Sequence, residues 1–145
     1  MAYQGLFKPK NPQKYVGDPN NIVYRSSWEC KVMSWLDKTP EILTWASEEL
    51  IVPYISPVDN RQHRYFPDFI VRIKTKEGKL KTMMLEVKPK YQTEMPKPKK
   101  RITESYKNEI KTYAVNKAKW KAAEEFCLDR GWEFRILTEE HLGIN

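Results

Sequence analysis

Two carboxylates and an ammonium group, on Asp68, Glu86 and Lys88, stand where a β-hairpin would bring them together. In MMLEVK, residues 83–88, the apolar Met83, Leu85 and Val87 alternate with Met84, Glu86 and Lys88, so strand periodicity puts the acid and the lysine on one face. In the preceding run Phe69, Val71 and Ile73 form the apolar set, which assigns Asp68 to the face of Ile70 and Arg72. Hard carboxylate oxygens in a chain with 2 histidines suit Mg2+ or Mn2+ better than Zn2+. The backbone carbonyl of Val87 offers a further ligand. Such an ion lowers the pKa of a water nucleophile and shares the charge of a phosphoryl oxygen, while a lysine beside it orients the water or neutralises developing charge. The competing reading is a solvent-facing ion cluster on a half-exposed sheet, and spacing alone leaves both open.

Whether Asp68 joins the other two depends on the turn. Residues 65–75 and 80–88 are both strand-like, and KEGK at 76–79 supplies a turn glycine. A three-residue loop, or a two-residue loop with a bulge, would pair Asp68 with Lys88 and Ile70 with Glu86 on one face; an unbulged two-residue loop would send Asp68 to the other side. The bulged or three-residue form is predicted.

The surrounding elements follow from periodicity. A helix is predicted over 27–37, with Trp28, Val32, Met33, Trp35 and Leu36 at helical spacing and a break at Thr39-Pro40. Residues 40–46 read as one further helical turn, with Pro40 in the first position. Residues 50–55 read as a strand that Pro53 confines to an edge. A long helix is predicted over 103–130 on a stripe of Tyr106, Ile110, Tyr113, Lys117, Trp120, Ala123 and Cys127, closed by Gly131. A strand at 132–137 and a helical turn from Thr138 end the chain. The tryptophans are assigned to the core, and His63 and His141 receive no catalytic role. The pattern predicts an α/β fold, a mixed sheet flanked by helices.

With 145 residues the chain fits one domain, 1–145, and the Lys, Pro and Asn-rich stretch 8–21 predicts a basic N-terminal arm over about residues 1–24. Lys plus Arg number 26 against 19 acids, a net charge of +7, which suits a polyanionic partner such as nucleic acid, although charge alone fits an ordinary basic surface equally well. Lys8, Lys10, Lys14, Lys90, Lys97, Lys99, Lys100 and Arg101 are the candidate DNA phosphate contacts. No base-reading motif accompanies them, so binding is expected to be salt-sensitive and weakly sequence-dependent. Cys30 and Cys127 fall in helical segments without disulfide or metal-knuckle spacing, which fits a reducing compartment. No apolar run has the length of a signal peptide or membrane span, so no membrane association is expected, and no organic cofactor.

Pro67-Asp68, followed after 17 intervening residues by Glu86-Val87-Lys88, resembles the signature of the PD-(D/E)xK nucleases. The segments YRSSWE, RYFPDF, EVKPK, NEIKTYAVNKAKW and FRILTEE extend the likeness over nearly the whole chain, and together they resemble the head-completion nucleases of tailed phages. The resemblance implies a restriction-endonuclease-like α/β core and Mg2+-dependent hydrolysis of DNA phosphodiester bonds, with Asp68 and Glu86 as ligands and Lys88 as the catalytic lysine. It also implies an acid from the first helix, Glu29, and polar accessories Asn116 and Lys119 on the long helix. Ser26 and Glu29 equally have the spacing of a capping box, in which Glu29 only bonds back to the helix start. The packaged phage genome would be the substrate and phage head or neck proteins the partners, in the host cytoplasm during assembly or in the virion. Two alternatives stay open: a head or neck structural protein that binds DNA without cleaving it, and a transposase-type or junction-resolving endonuclease with the same core.

Overall fold

Short runs of β-branched and aromatic residues between turn residues become strands in the structure, a computed structural model that describes residues 2–143. The order is β1 (Ala2–Phe7), β2 (Ile22–Ser26), α1 (Ser27–Lys38), β3 (Ile42–Ser47), β4 (Val52–Ile55), β5 (Gln62–Tyr65), β6 (Phe69–Lys74), β7 (Leu80–Val87), α2 (Glu104–Arg130), β8 (Glu133–Leu137) and α3 (Glu139–Leu142). The central sheet runs β3-β6-β7-β8, antiparallel except for the parallel pair β7 and β8. Parallel neighbours need a crossover, and α2 is that crossover. The pairs β1-β2 and β4-β5 form separate antiparallel hairpins. Among the described residues no helix is long and apolar enough to cross a membrane.

Both faces of the sheet are covered, as predicted for a mixed α/β fold. On one side Val32, Met33 and Leu36 of α1 pack with Trp45, Phe69, Val71 and Leu85. On the other Trp120, Ala123 and Cys127 of α2 pack with Val52, Tyr65 and Met84. Adjacent residues of β7 thus belong to different cores, and at this end of the strand Glu86 is buried rather than half-exposed. Capping residues set the limits of α2: the Thr103 hydroxyl accepts the Tyr106 N–H at 3.1 Å, and Gly131, at φ +70°, lets the Trp132 N–H return to the Cys127 carbonyl at 2.8 Å. The inward stripe of α2 carries the buried Asn116, whereas Lys117 is exposed. Trp35 likewise points outward from α1, 53% exposed, and is not part of the core.

Two expectations are corrected. Residues 42–47 form β3 and not a helical turn: Ile42, Trp45 and Ala46 are buried in the sheet, and that burial outweighs the helix-start signal of Thr39-Pro40. The N-terminal stretch is not a free arm either, since β1 pairs with β2 and the segment after it is held against the end of α1. There the Asp37 carboxylate accepts the N–H groups of Lys10 and Asn11 at 2.8 and 3.1 Å, and the Lys14 ammonium donates to the carbonyls of Leu36, Asp37 and Thr39 at 2.7, 3.0 and 2.8 Å. Asp37 is buried, so alanine there would strand two backbone donors. Asp37→Ala is expected to cost about 2–4 kcal/mol of stability in urea denaturation; an unchanged midpoint would show that the segment is held by other contacts.

Candidate active site

Asp68 precedes the first residue of β6, and Glu86 is the penultimate residue of β7. Their mutual position is set at the far end of this hairpin. The Thr75 N–H donates to the Lys79 carbonyl at 2.8 Å and the Gly78 N–H to the Thr75 carbonyl at 2.9 Å, with Gly78 at φ +80°. This is a three-residue loop, 76–78, ending in the left-handed residue that such loops require. From it the register runs Lys74 with Leu80, Ile70 with Met84 and Phe69 with Leu85, and its continuation places Asp68 opposite Glu86. The shared face agrees with the sequence expectation. The pairing differs by two residues: Asp68 faces Glu86 rather than Lys88, and Ile70 faces Met84 rather than Glu86, because the loop opens at Lys76 and Phe69 packs with Leu85 in one core.

Pro67 shapes the end of the ladder. The N–H and C=O of a strand residue point to the same edge, and alternate residues of an antiparallel pair exchange both bonds. Phe69 faces β7, whereas the Asp68 carbonyl turns to β3 and accepts the Glu48 N–H at 3.2 Å. The residue opposite Val87 is therefore Pro67, which has no N–H to give. The Asp68 Oδ2 accepts the Val87 N–H at 2.7 Å, and the Val87 carbonyl, directed to the same edge, receives no ladder donor from Pro67. Two carboxylates and one carbonyl thus converge at the strand end.

Electrostatics distinguish this group from a surface ion cluster. Glu86 is 6% exposed, and its Oε2 has no hydrogen-bond partner among the described residues. Burial pushes the Glu86 carboxyl up to about 7, against the pull of Lys88 and then Lys119, with Glu29 adding to the rise. Burial also pushes Asp68 up to about 7; the Val87 N–H opposes this, Glu29 raises it further, and Lys88 and Arg25 lower it. Glu29, Lys88, Lys119 and Arg25 are thereby placed within electrostatic reach of the pair. Asn116 is buried on the helix that carries Lys119, whose ammonium lies 5.9 and 5.7 Å from the rings of Tyr54 and Tyr65. Arg25 was not among the sequence candidates; it forms an ion pair with Glu48, the residue whose N–H holds the Asp68 carbonyl. Its only sequence signal was its place in YRSSWE, immediately before the helix cap.

Glu29 bonds back to the helix start, as its spacing from Ser26 predicts. Its N–H donates to Ser26 Oγ at 3.1 Å, and its carboxylate returns to Ser26 Oγ at 3.3 Å and the Arg25 N–H at 3.5 Å, so it serves the start of α1. Its charge nevertheless acts on both Asp68 and Glu86. Among the described residues no three His, Cys, Asp or Glu side chains form a ready metal cluster. Glu29→Gln, which preserves the cap, is expected to slow DNA cleavage about tenfold with little change in melting temperature. An unchanged rate would assign Glu29 to capping alone.

The candidate phosphate-binding cations divide by environment. Lys8, Lys10, Lys97, Lys99, Lys100 and Arg101 are exposed. Lys14 is engaged by helix carbonyls as described, which withdraws its donors from a phosphate. Lys90 pairs with Glu140 at 2.8 Å, an exposed contact that a phosphate can displace at small cost.

The chain belongs to the TnsA-like endonuclease family: the family's N-terminal domain, described as TnsA-like endonuclease N terminal, matches residues 39–139, which include the whole central sheet and α2. It is a nuclease with a restriction-endonuclease-like fold. The likeness to one particular protein is broader still. The head completion nuclease of Enterobacteria phage T4 is 44% identical over 146 aligned positions, covering 98% of this chain and 95% of the phage protein.

Proposed function

We propose that this nuclease hydrolyses DNA phosphodiester bonds with Mg2+, or Mn2+ in its place, at the site formed by Asp68, Glu86, Val87 and Lys88. The observation that supports this most is the buried Glu86 oxygen without a partner, opposite a second carboxylate. A buried polar atom left unpaired is costly, and a hard divalent cation would satisfy it. Mg2+ ordinarily takes one or two carboxylates and completes its shell with water and substrate phosphate, so Asp68, Glu86 and the Val87 carbonyl suffice without a third acid. The ion would supply a water of lowered pKa and charge stabilisation at the phosphoryl oxygen. Asp68 and Glu86 must be deprotonated to hold it. Lys88 offsets charge on the attacked phosphate and orients the nucleophilic water, with Glu29 as a supporting acid and Lys119 and Asn116 as accessories on α2. The exposed cations Lys8, Lys10, Lys97, Lys99, Lys100 and Arg101 hold flanking phosphates, joined by Lys90 once it leaves Glu140.

The likeness to the phage T4 protein supports a place in head completion and head-tail joining. The substrate would then be packaged phage DNA, the partners head or neck proteins, and the location the host cytoplasm during assembly and the virion. Thermal melting in rising Mg2+ tests the metal assignment without relying on cleavage. The wild type is expected to gain several degrees at saturating Mg2+, since ligand at 100 times its Kd adds about 2.7 kcal/mol. Glu86→Gln should show almost none of that gain. An equal gain in both would place the ion elsewhere.

A further inference from the structure

The segment after β7 and the first half of α2 enclose a cleft of about 670 Å3. Two tyrosines line it, Tyr91 from the 3-10 turn Lys90–Thr93 and Tyr113 from α2. Tyr91 is 72% and Met95 70% exposed, so large apolar surfaces face solvent here instead of a core. Lys97 and Lys99 line the same cleft along with Glu94 and Glu109, and Lys100 and Arg101 continue the positive run beyond it. Lys99 lies 4.0 Å from Glu109 and 5.5 Å from the Tyr106 ring. Ser105, Asn108, Thr112 and Asn116 add hydrogen-bonding groups to the α2 wall.

The cleft adjoins the nuclease site on both sides. Asn116 lies on its wall, and Lys119, whose charge acts on Glu86, is three residues further along α2, about 4.5 Å along the axis. On the other wall only Pro89 and Lys90 separate Lys88 from Tyr91, a span of at most about 11 Å. An unstacked strand extends further per nucleotide than the about 3.4 Å of a stacked duplex strand, so one or two nucleotides cover that span.

A duplex keeps its base faces stacked and offers phosphates and groove edges. One exposed and one half-buried aromatic ring beside lysines, in a volume within the range of small-ligand sites, match unstacked bases on a phosphate strand. We infer that the cleft between Tyr91 and Tyr113 binds one or two unstacked nucleotides beside the scissile phosphate, so that the enzyme cuts preferentially next to single-stranded or frayed DNA. The inference rests on the phosphodiester site assigned above, and it deepens that assignment by naming the form of DNA that the site takes.

Two measurements test it. In EDTA, fluorescence anisotropy should show the wild type binding a short oligothymidylate at least about fivefold more tightly than an abasic strand of equal length. Tyr91→Ala should abolish that difference and Tyr91→Phe should keep it, because stacking on one aromatic ring is worth about 1–3 kcal/mol per base. In Mg2+, the wild type should cut a duplex with a single-stranded tail faster than the blunt duplex, and Tyr91→Ala should lower the ratio of the two rates about fivefold. Equal binding of thymidylate and abasic strands, or a rate ratio unaltered by Tyr91→Ala, overturns the inference. Failure of the phosphodiester site itself would appear separately, as Asp68→Ala cutting at the wild-type rate, and the anisotropy result would stand apart from it.

Discussion

Alanine at position 68 is expected to lower DNA cleavage in Mg2+ at least about a thousandfold. Asp68 has two roles that the substitution removes together: its Oδ2 holds the Val87 N–H at 2.7 Å, and its charge is one of two facing carboxylates. Asp68→Asn separates them. The amide oxygen can still accept from Val87, but it brings no negative charge and binds a hard cation poorly. Asparagine and alanine should therefore be about equally inactive in single-turnover assays, whereas a merely structural Asp68 would leave Asp68→Asn active. Equal cleavage by wild type and both variants would remove Asp68 from the site.

The same asparagine is expected to make the metal-free protein more stable at pH 8 by about 2 kcal/mol. Folding raises the carboxyls of Asp68 and Glu86 to about 7, chiefly through burial. Between the unfolded value near about 4 and that raised value, the folded chain holds protons that the unfolded chain has released. The contribution of these groups to stability is therefore complete below about pH 4 and is lost as pH rises through about 7. Asp68→Asn cannot ionise, so it escapes the loss at pH 8 and gains little at pH 5. Urea denaturation in EDTA at the two pH values measures this, and Mg2+ should restore the wild type alone. A variant less stable than wild type at pH 8 would show that the carboxylate is satisfied by the fold itself.

The parts of this architecture that were legible in the sequence are those where local pattern and tertiary packing agree. Alternation in 69–73 and 83–88, with the turn glycine, identified the central hairpin and the face shared by Asp68, Glu86 and Lys88. Helical spacing closed by Gly131 identified α2. The register was off by two because turn chemistry restricts the parity of a pairing more tightly than its offset, which the packing of Phe69 with Leu85 decides. Thr39-Pro40 carried helix-start signals for residues 40–46 that burial of Trp45 in β3 overrode. Lys14 looked like every other lysine, since its role depends on α1 carbonyls more than 20 residues away. The pairing of Arg25 with Glu48, and the stacking of α2 over Glu86, join segments distant in sequence and leave no local pattern.

The short bond from the Val87 amide to Asp68 Oδ2 gives this active site an internal spectroscopic reporter. A proton on Asp68, a cation drawn to it or a phosphate displacing it would each alter the field at one backbone N–H, and so shift a single resonance in a nitrogen-15 correlation spectrum. Titration, metal arrival and substrate arrival could then be followed one after another at the same atom, with no bulky probe attached and no catalytic group replaced.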